Sequence, residues 1–138
     1  MSMPKAVIDT NVLLDLWLFD DPQFAGLKAA LHDRQLQWLT TQPMREEWAR
    51  VLDYEHLKLI SQRKGKNAIQ LMHLFDEFAT QCPTAAPAPY RCKDPDDQKF
   101  IDLAVEQQAT LYSKDKYVLA LKNRLARLQT TISNRWQG

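Results

Sequence analysis

The sequence is poor in the residues that small proteins use as staples. Cys82 and Cys92 are the only 2 cysteines in 138 residues, and they fall outside any CxxC spacing. Two thiols so placed make neither a disulfide framework nor a zinc site, so both are expected to be reduced and structural. His32, His56 and His73 share no metal spacing and receive no role. Long apolar runs are missing too: the longest helical-looking segments are amphipathic, which argues against a membrane span. The N-terminus lacks a basic-then-apolar signal pattern, so a cytoplasmic location is expected. Glycine is scarce, at 3 residues, while 45% of the chain is hydrophobic, enough for a real core with no stretch of disordered composition. A net charge of +1 selects no partner, yet from Lys114 onward there are 6 Lys or Arg and 1 acid, Asp115, so the C-terminal end is locally basic.

At 16.1 kDa the chain has the size of a single domain, read here as residues 1–138. Residues 6–8 read as a short buried strand, and Val12 to Phe19 as a segment of helical spacing. "QWLTT" at 37–41 is a second strand. Pro43 suits a first helical turn, with Met44, Trp48, Val51 and Leu52 on one face. After the turn-like "RKGK" at 63–66, Ile69, Met72, Phe75 and Phe78 mark another helix face. "CPTAAPAP" at 82–89 is a loop, Asp94-Pro95 opens a helix running to Gln108, and "TLYS" at 110–113 is a third strand. A helix and a final strand follow. Alternating strands and helices predict an α/β fold with a central parallel sheet covered by helices on both faces.

In such a sheet, ligands collect where strands end at their carboxyl edge. Asp9 stands at one strand end, and Asp115 lies two residues past another. Glu47 shares a helix face with Met44, Trp48 and Val51, whereas Glu46 points with Arg50 and Asp53. Asp97 lies one turn before Ile101 and two before Ala104, while Asp102 and Glu106 face elsewhere. A carboxylate at the head of an apolar stripe is costly to desolvate without a partner, and no Lys or Arg is placed to serve all four acids. A shared cation would. Each acid also has a plainer role: Asp9 as an Asx-turn residue or cap, Glu47 as a first-turn acid, Asp94 and Asp97 as a cap with an acid behind it, and Asp115 as the cap of a helix from Lys116. Those roles do not explain why all four face one rim.

"VIDTN", the Glu of "EEWARVL", "DPDDQKFIDLA" and "SKD" together resemble the four acidic motifs of PIN-domain ribonucleases, in the subgroup of toxins from toxin–antitoxin systems. The resemblance spans nearly the whole chain with the motifs in order. It implies a PIN-like α/β/α sandwich whose Asp9, Glu47, Asp97 and Asp115 are catalytic and bind Mg²⁺ or Mn²⁺. Asn11, Asp94 and Ser113 are the implied supporting residues. Lys114 stands where the family commonly has Gly, and Tyr117 where an acid is frequent. RNA is the implied substrate, hydrolysed with the phosphate left on the 5′ side, and a cognate antitoxin and a homodimer are implied partners.

The chemistry agrees with the resemblance, because hard divalent cations prefer oxygen ligands and four carboxylates supply the charge that one or two would neutralise. Asn11 can hold a water or a neighbouring carboxylate without adding charge. Lys114, Lys116, Lys122, Arg124 and Arg127, with residues 63–66, are candidates for RNA-backbone contacts, against the plainer role of a solvated helix face. The four tryptophans fit a core better than a base-stacking platform. An aspartate phosphatase of the haloacid-dehalogenase type also begins with an acid after its first strand, but its second Asp is here Asn11. The remaining alternative is a catalytically inactive PIN-fold module that binds RNA or protein.

Overall fold

The computed structural model describes residues 3–136. Five short strands form one sheet, all parallel, in the order β3-β2-β1-β4-β5. They are β1 (Lys5–Ile8), β2 (Gln37–Thr40), β3 (Ala79–Gln81), β4 (Thr110–Tyr112) and β5 (Ile132–Ser133). β1 is the centre, pairing Ala6 with Trp38 on one side and Ile8 with Tyr112 on the other. The chain steps outward through β2 and β3, then returns across β1 to build β4 and β5. Connections therefore diverge on either side of the β1–β4 pair, the place where open parallel sheets form a crevice.

Successive side chains of a strand point to opposite faces, and the two halves of the core follow that alternation. Ala6, Ile8, Trp38 and Tyr112 pack beneath α1 (Thr10–Trp17), α2 (Ala25–His32), α4 (Glu55–Arg63) and α5 (Ala68–Phe78). Val7, Leu39, Leu111 and Ile132 pack beneath α6 (Gln98–Gln107), α7 (Lys116–Leu119) and α8 (Lys122–Ala126). α3 (Gln42–Leu52) straddles the carboxyl edge: its Met44 joins the second group and its Trp48 the first. Glu47 lies between these anchors, so α3 presents it along the rim. A bidentate pair from Arg45 to Asp76, at 2.7 and 2.9 Å, ties α3 to α5.

The tryptophan expectation holds for Trp17, Trp38 and Trp48, which are fully buried and meet with ring centroids 5.5 Å (Trp17–Trp38) and 6.5 Å (Trp17–Trp48) apart. Trp48 donates to the Leu71 carbonyl at 3.2 Å, satisfying its one polar atom. Both cysteines are free, Cys92 buried and Cys82 partly so. Gly65 takes a left-handed φ of +67°, which fits the turn read at 63–66 and ends α4. Asn67 then opens α5 with a reciprocal capping box to Gln70.

The structure corrects several readings. Ile69 is 81% exposed rather than on the packed face, because α5 buries Leu71 and Phe75, with Met72, Leu74 and Phe78 partly covered beside them. β3 follows α5 without a linker and has a polar, half-exposed sequence, so no apolar alternation announces it. The segment opened by Asp94-Pro95 is two elements, a 3-10 turn at Pro95–Asp97 and then α6. Among the described residues, no helix is long and apolar enough to cross a membrane.

Candidate active site

Asp9 follows β1 directly and is 3% exposed. Its backbone N–H donates to the Tyr112 carbonyl at 2.9 Å, continuing the β1–β4 ladder one step past the strand. Its carbonyl accepts from Val12 and Leu13 and so starts α1, but its carboxylate makes no capping bond. Oδ2 instead accepts from the Ser113 hydroxyl at 2.7 Å. Burial raises the Asp9 carboxyl to about 6; the Ser113 bond opposes the rise, Glu47 adds to it, the Asn11 backbone opposes it, and Asp115 adds the last contribution. The Asn11 side chain itself is exposed.

Asp97 stands at the head of α6, whose Ile101 and Ala104 are fully buried. It makes no capping bond either; Asp94 caps only the preceding 3-10 turn, accepting from the Asp96 N–H at 3.0 Å. Burial is the first cause that pushes the Asp97 carboxyl up to about 7, followed by the charges of Asp9, Asp115, Asp94 and Glu47. Asp9 and Asp97 each feel the charges of both Glu47 and Asp115.

Glu47 is the sixth residue of α3, too far along to serve as a first-turn acid. The Thr10 hydroxyl donates to its Oε2, and Lys99 Nζ donates to its Oε1 at 2.7 Å. Lys99 also donates to the Asp96 carbonyl. This lysine was not anticipated: it lies 52 residues from Glu47, and only the packing of α6 beside α3 joins them.

Asp115 is different, since here the plainer role is realised. Its Oδ1 accepts from the N–H groups of Tyr117 at 2.8 Å and Val118 at 3.3 Å, capping α7. Ser113, fully buried, links the two strand ends, because its hydroxyl donates to Asp9 and accepts from the Asp115 N–H at 3.1 Å.

The cations separate into groups. Lys66 is bound at the far end of α1, to Asp20 at 2.9 Å and the Trp17 carbonyl at 2.6 Å, so it does not join the acids. Lys114 forms an ion pair with Asp15. Lys116 and the unanticipated Lys93 lie 5.1 and 5.3 Å from the centre of the Tyr117 ring, next to Asp115. Neither forms a salt bridge among the described residues. Lys122, Arg124 and Arg127 are exposed on and just after α8.

Among the described residues, no three acidic, histidine or cysteine side chains stand close enough together to hold a metal ion. Glu47 is held by Lys99, and one oxygen of Asp115 is occupied in capping. The donor set nevertheless suits a hard divalent cation in kind: it is all oxygen, partly desolvated, and its members disfavour one another's charge.

Residues 5–111 match the PIN domain family. That stretch includes Asp9, Glu47 and Asp97 and ends before Asp115. No curated protein gives a significant match. PIN domains are generally nucleases and typically use divalent metal ions. With the parallel α/β/α architecture in agreement, the chain belongs to the PIN-domain family.

Proposed function

We propose that this chain is a ribonuclease that hydrolyses RNA phosphodiester bonds with Mg²⁺ or Mn²⁺ held by Asp9, Glu47, Asp97 and Asp115. What supports the reading is that Asp9 and Asp115 follow the two strands of the β1–β4 crevice and that the charges of Glu47 and Asp115 bear on both Asp9 and Asp97, where burial and repulsion favour the protonated form. A bound divalent cation would lower the pKa of a water and stabilise the leaving oxygen. The protein's own groups set the stage. Ser113 fixes one oxygen of Asp9, Thr10 fixes one oxygen of Glu47, and Glu47, paired with Lys99, would hold the cation through the oxygen that Lys99 now occupies. Lys93 and Lys116, gathered on the Tyr117 ring, offer phosphate contacts beside the acids, with Lys122, Arg124 and Arg127 extending that basic surface.

A second reading, an inactive PIN-fold module that binds RNA or protein, is favoured by the Lys99–Glu47 pair, which satisfies one of the four acids internally. Cleavage of end-labelled RNA by wild type and Asp9→Asn, with Mn²⁺, Mg²⁺ or chelator, separates the two. The nuclease reading expects cleavage by wild type only, and only with metal. Equal behaviour of the two proteins, with RNA still bound in chelator, selects the second.

The role of toxin, with a cognate antitoxin, a homodimer and a cytoplasmic site of action, extends this reading through the subgroup that the motifs resemble. Induced expression tests it: growth arrest by wild type and not by Asp9→Asn is expected, and unimpaired growth under both removes the toxin role. The activity is assigned to one domain over residues 1–138, for which limited proteolysis should leave a single resistant core.

A further inference from the structure

Asp15 is 5% exposed, on a turn of α1 whose neighbours Leu13, Leu14, Leu16 and Trp17 are all buried hydrophobics. A carboxylate there needs a reason, because burying an ion is unfavourable unless a partner compensates it. Its partner comes from far along the chain: Lys114 Nζ forms an ion pair with Asp15 Oδ2, an oxygen that receives no hydrogen bond of ordinary geometry from any described group. Lys114 lies between Ser113 and Asp115. α1 therefore grips this short loop twice, at its head through Ser113 and Asp9, and about 9 Å further along its axis through Lys114 and Asp15.

We propose that the Asp15–Lys114 pair is a strap that holds Asp115 in position beside Asp9 and Asp97, so that Lys114 acts as a positioning residue and not as an RNA contact. Ser113 fixes the start of the loop and the capping of α7 its end, and Lys114 between them ties it to the flank of α1. The restraint has a load to bear, since Asp115 repels both Asp9 and Asp97. The strap's catalytic consequence rests on the metal-site reading above, whereas its effect on the loop does not.

Asp15→Asn removes the charge without leaving a buried anion behind, and Lys114→Arg keeps the pair. Hydrogen exchange in chelator reads the loop directly. Exchange at the amides of Asp115, Tyr117 and Val118 should accelerate about tenfold or more in Asp15→Asn and in the double variant with Lys114→Met, with β1 amides unchanged and Lys114→Arg like wild type. Mn²⁺ affinity should fall about tenfold in the same variants, as for groups that orient metal ligands, while single-stranded RNA affinity in chelator stays the same. Unchanged exchange overturns the strap. So does a loss of RNA affinity in the double variant without a change in exchange, which would make Lys114 a backbone contact. If wild type binds no Mn²⁺, the metal-site reading fails, and the exchange data still decide the strap.

Discussion

The head and the flank of α6 treat polar side chains in opposite ways. Along the flank, Gln98, Asp102 and Glu106 recur every four residues and meet the extended segment from residue 86 to residue 92. Asp102 accepts from the Ala88 N–H and the Gln98 amide, both at 2.9 Å, Glu106 accepts from the Ala86 N–H at 3.3 Å, and Gln98 donates to the Tyr90 carbonyl at 3.0 Å. This column of side chains gives a proline-rich segment the partners that a neighbouring strand would otherwise supply. At the head, Asp97 has no such donor and faces three other acids and Asp94. The same residue type, five positions apart, is structural where donors meet it and a candidate for catalysis where like charges do.

The sharpest way to break this contrast is to neutralise both positions. Asp97→Asn should lower Mn²⁺-dependent cleavage by at least about a hundredfold, since groups that merely orient ligands already cost 10- to 100-fold, and it should raise the melting temperature of the chelated protein. Asp102→Ala should do the reverse, keeping cleavage while losing about 1–3 kcal/mol of stability as its buried donors go unpaired. Denaturant titration beside the cleavage assay checks both; equal stability losses would erase the distinction.

The pH dependence sharpens it further. Asp9 and Asp97 bind protons more tightly when folded, at about 6 and about 7, than at their ordinary value of 3.8. Folding therefore takes up protons between these values, and the stability contributed by the two groups declines as pH rises through that window. The chelated protein should melt higher at pH 5 than at pH 8. Because a metal must displace those protons, Mn²⁺ binding should weaken as pH falls below about 7. A chelated protein that loses stability on acidification from pH 8 to pH 5 contradicts both assignments.

The smallest expected effect concerns the cations beside the acids. Replacing Lys93 and Lys116 together by Gln should flatten the logarithmic salt dependence of single-stranded RNA binding by about 1.4, at about 0.7 per phosphate contact. An unchanged slope would return both lysines to the solvated surface.

The sequence already displayed the sheet class, the core tryptophans and the carboxylates, because apolar runs, spacing and motif order are local properties. β3 stayed hidden behind a polar edge, and the packed face of α5 was misjudged at Ile69. The partners were the least legible. Lys99 serving Glu47, Lys93 approaching Tyr117 and Lys114 reaching Asp15 all depend on the fold joining residues 24 to 99 positions apart. Charge at one position carries no mark of which distant position it will meet.

The bond from Ser113 to Asp9 joins residues 104 apart in sequence, and this separation bears on synthesis. On the ribosome, β1 emerges first and can pair with β2 early, but its other edge waits for β4. A nascent chain that has not yet exposed Thr110 has Asp9, Glu47 and Asp97 without Ser113 or Asp115. If the folded molecule cuts RNA, the unfinished chain carries three of its four acids and none of the β4 scaffold, so the topology postpones assembly of the site until β4 has been made.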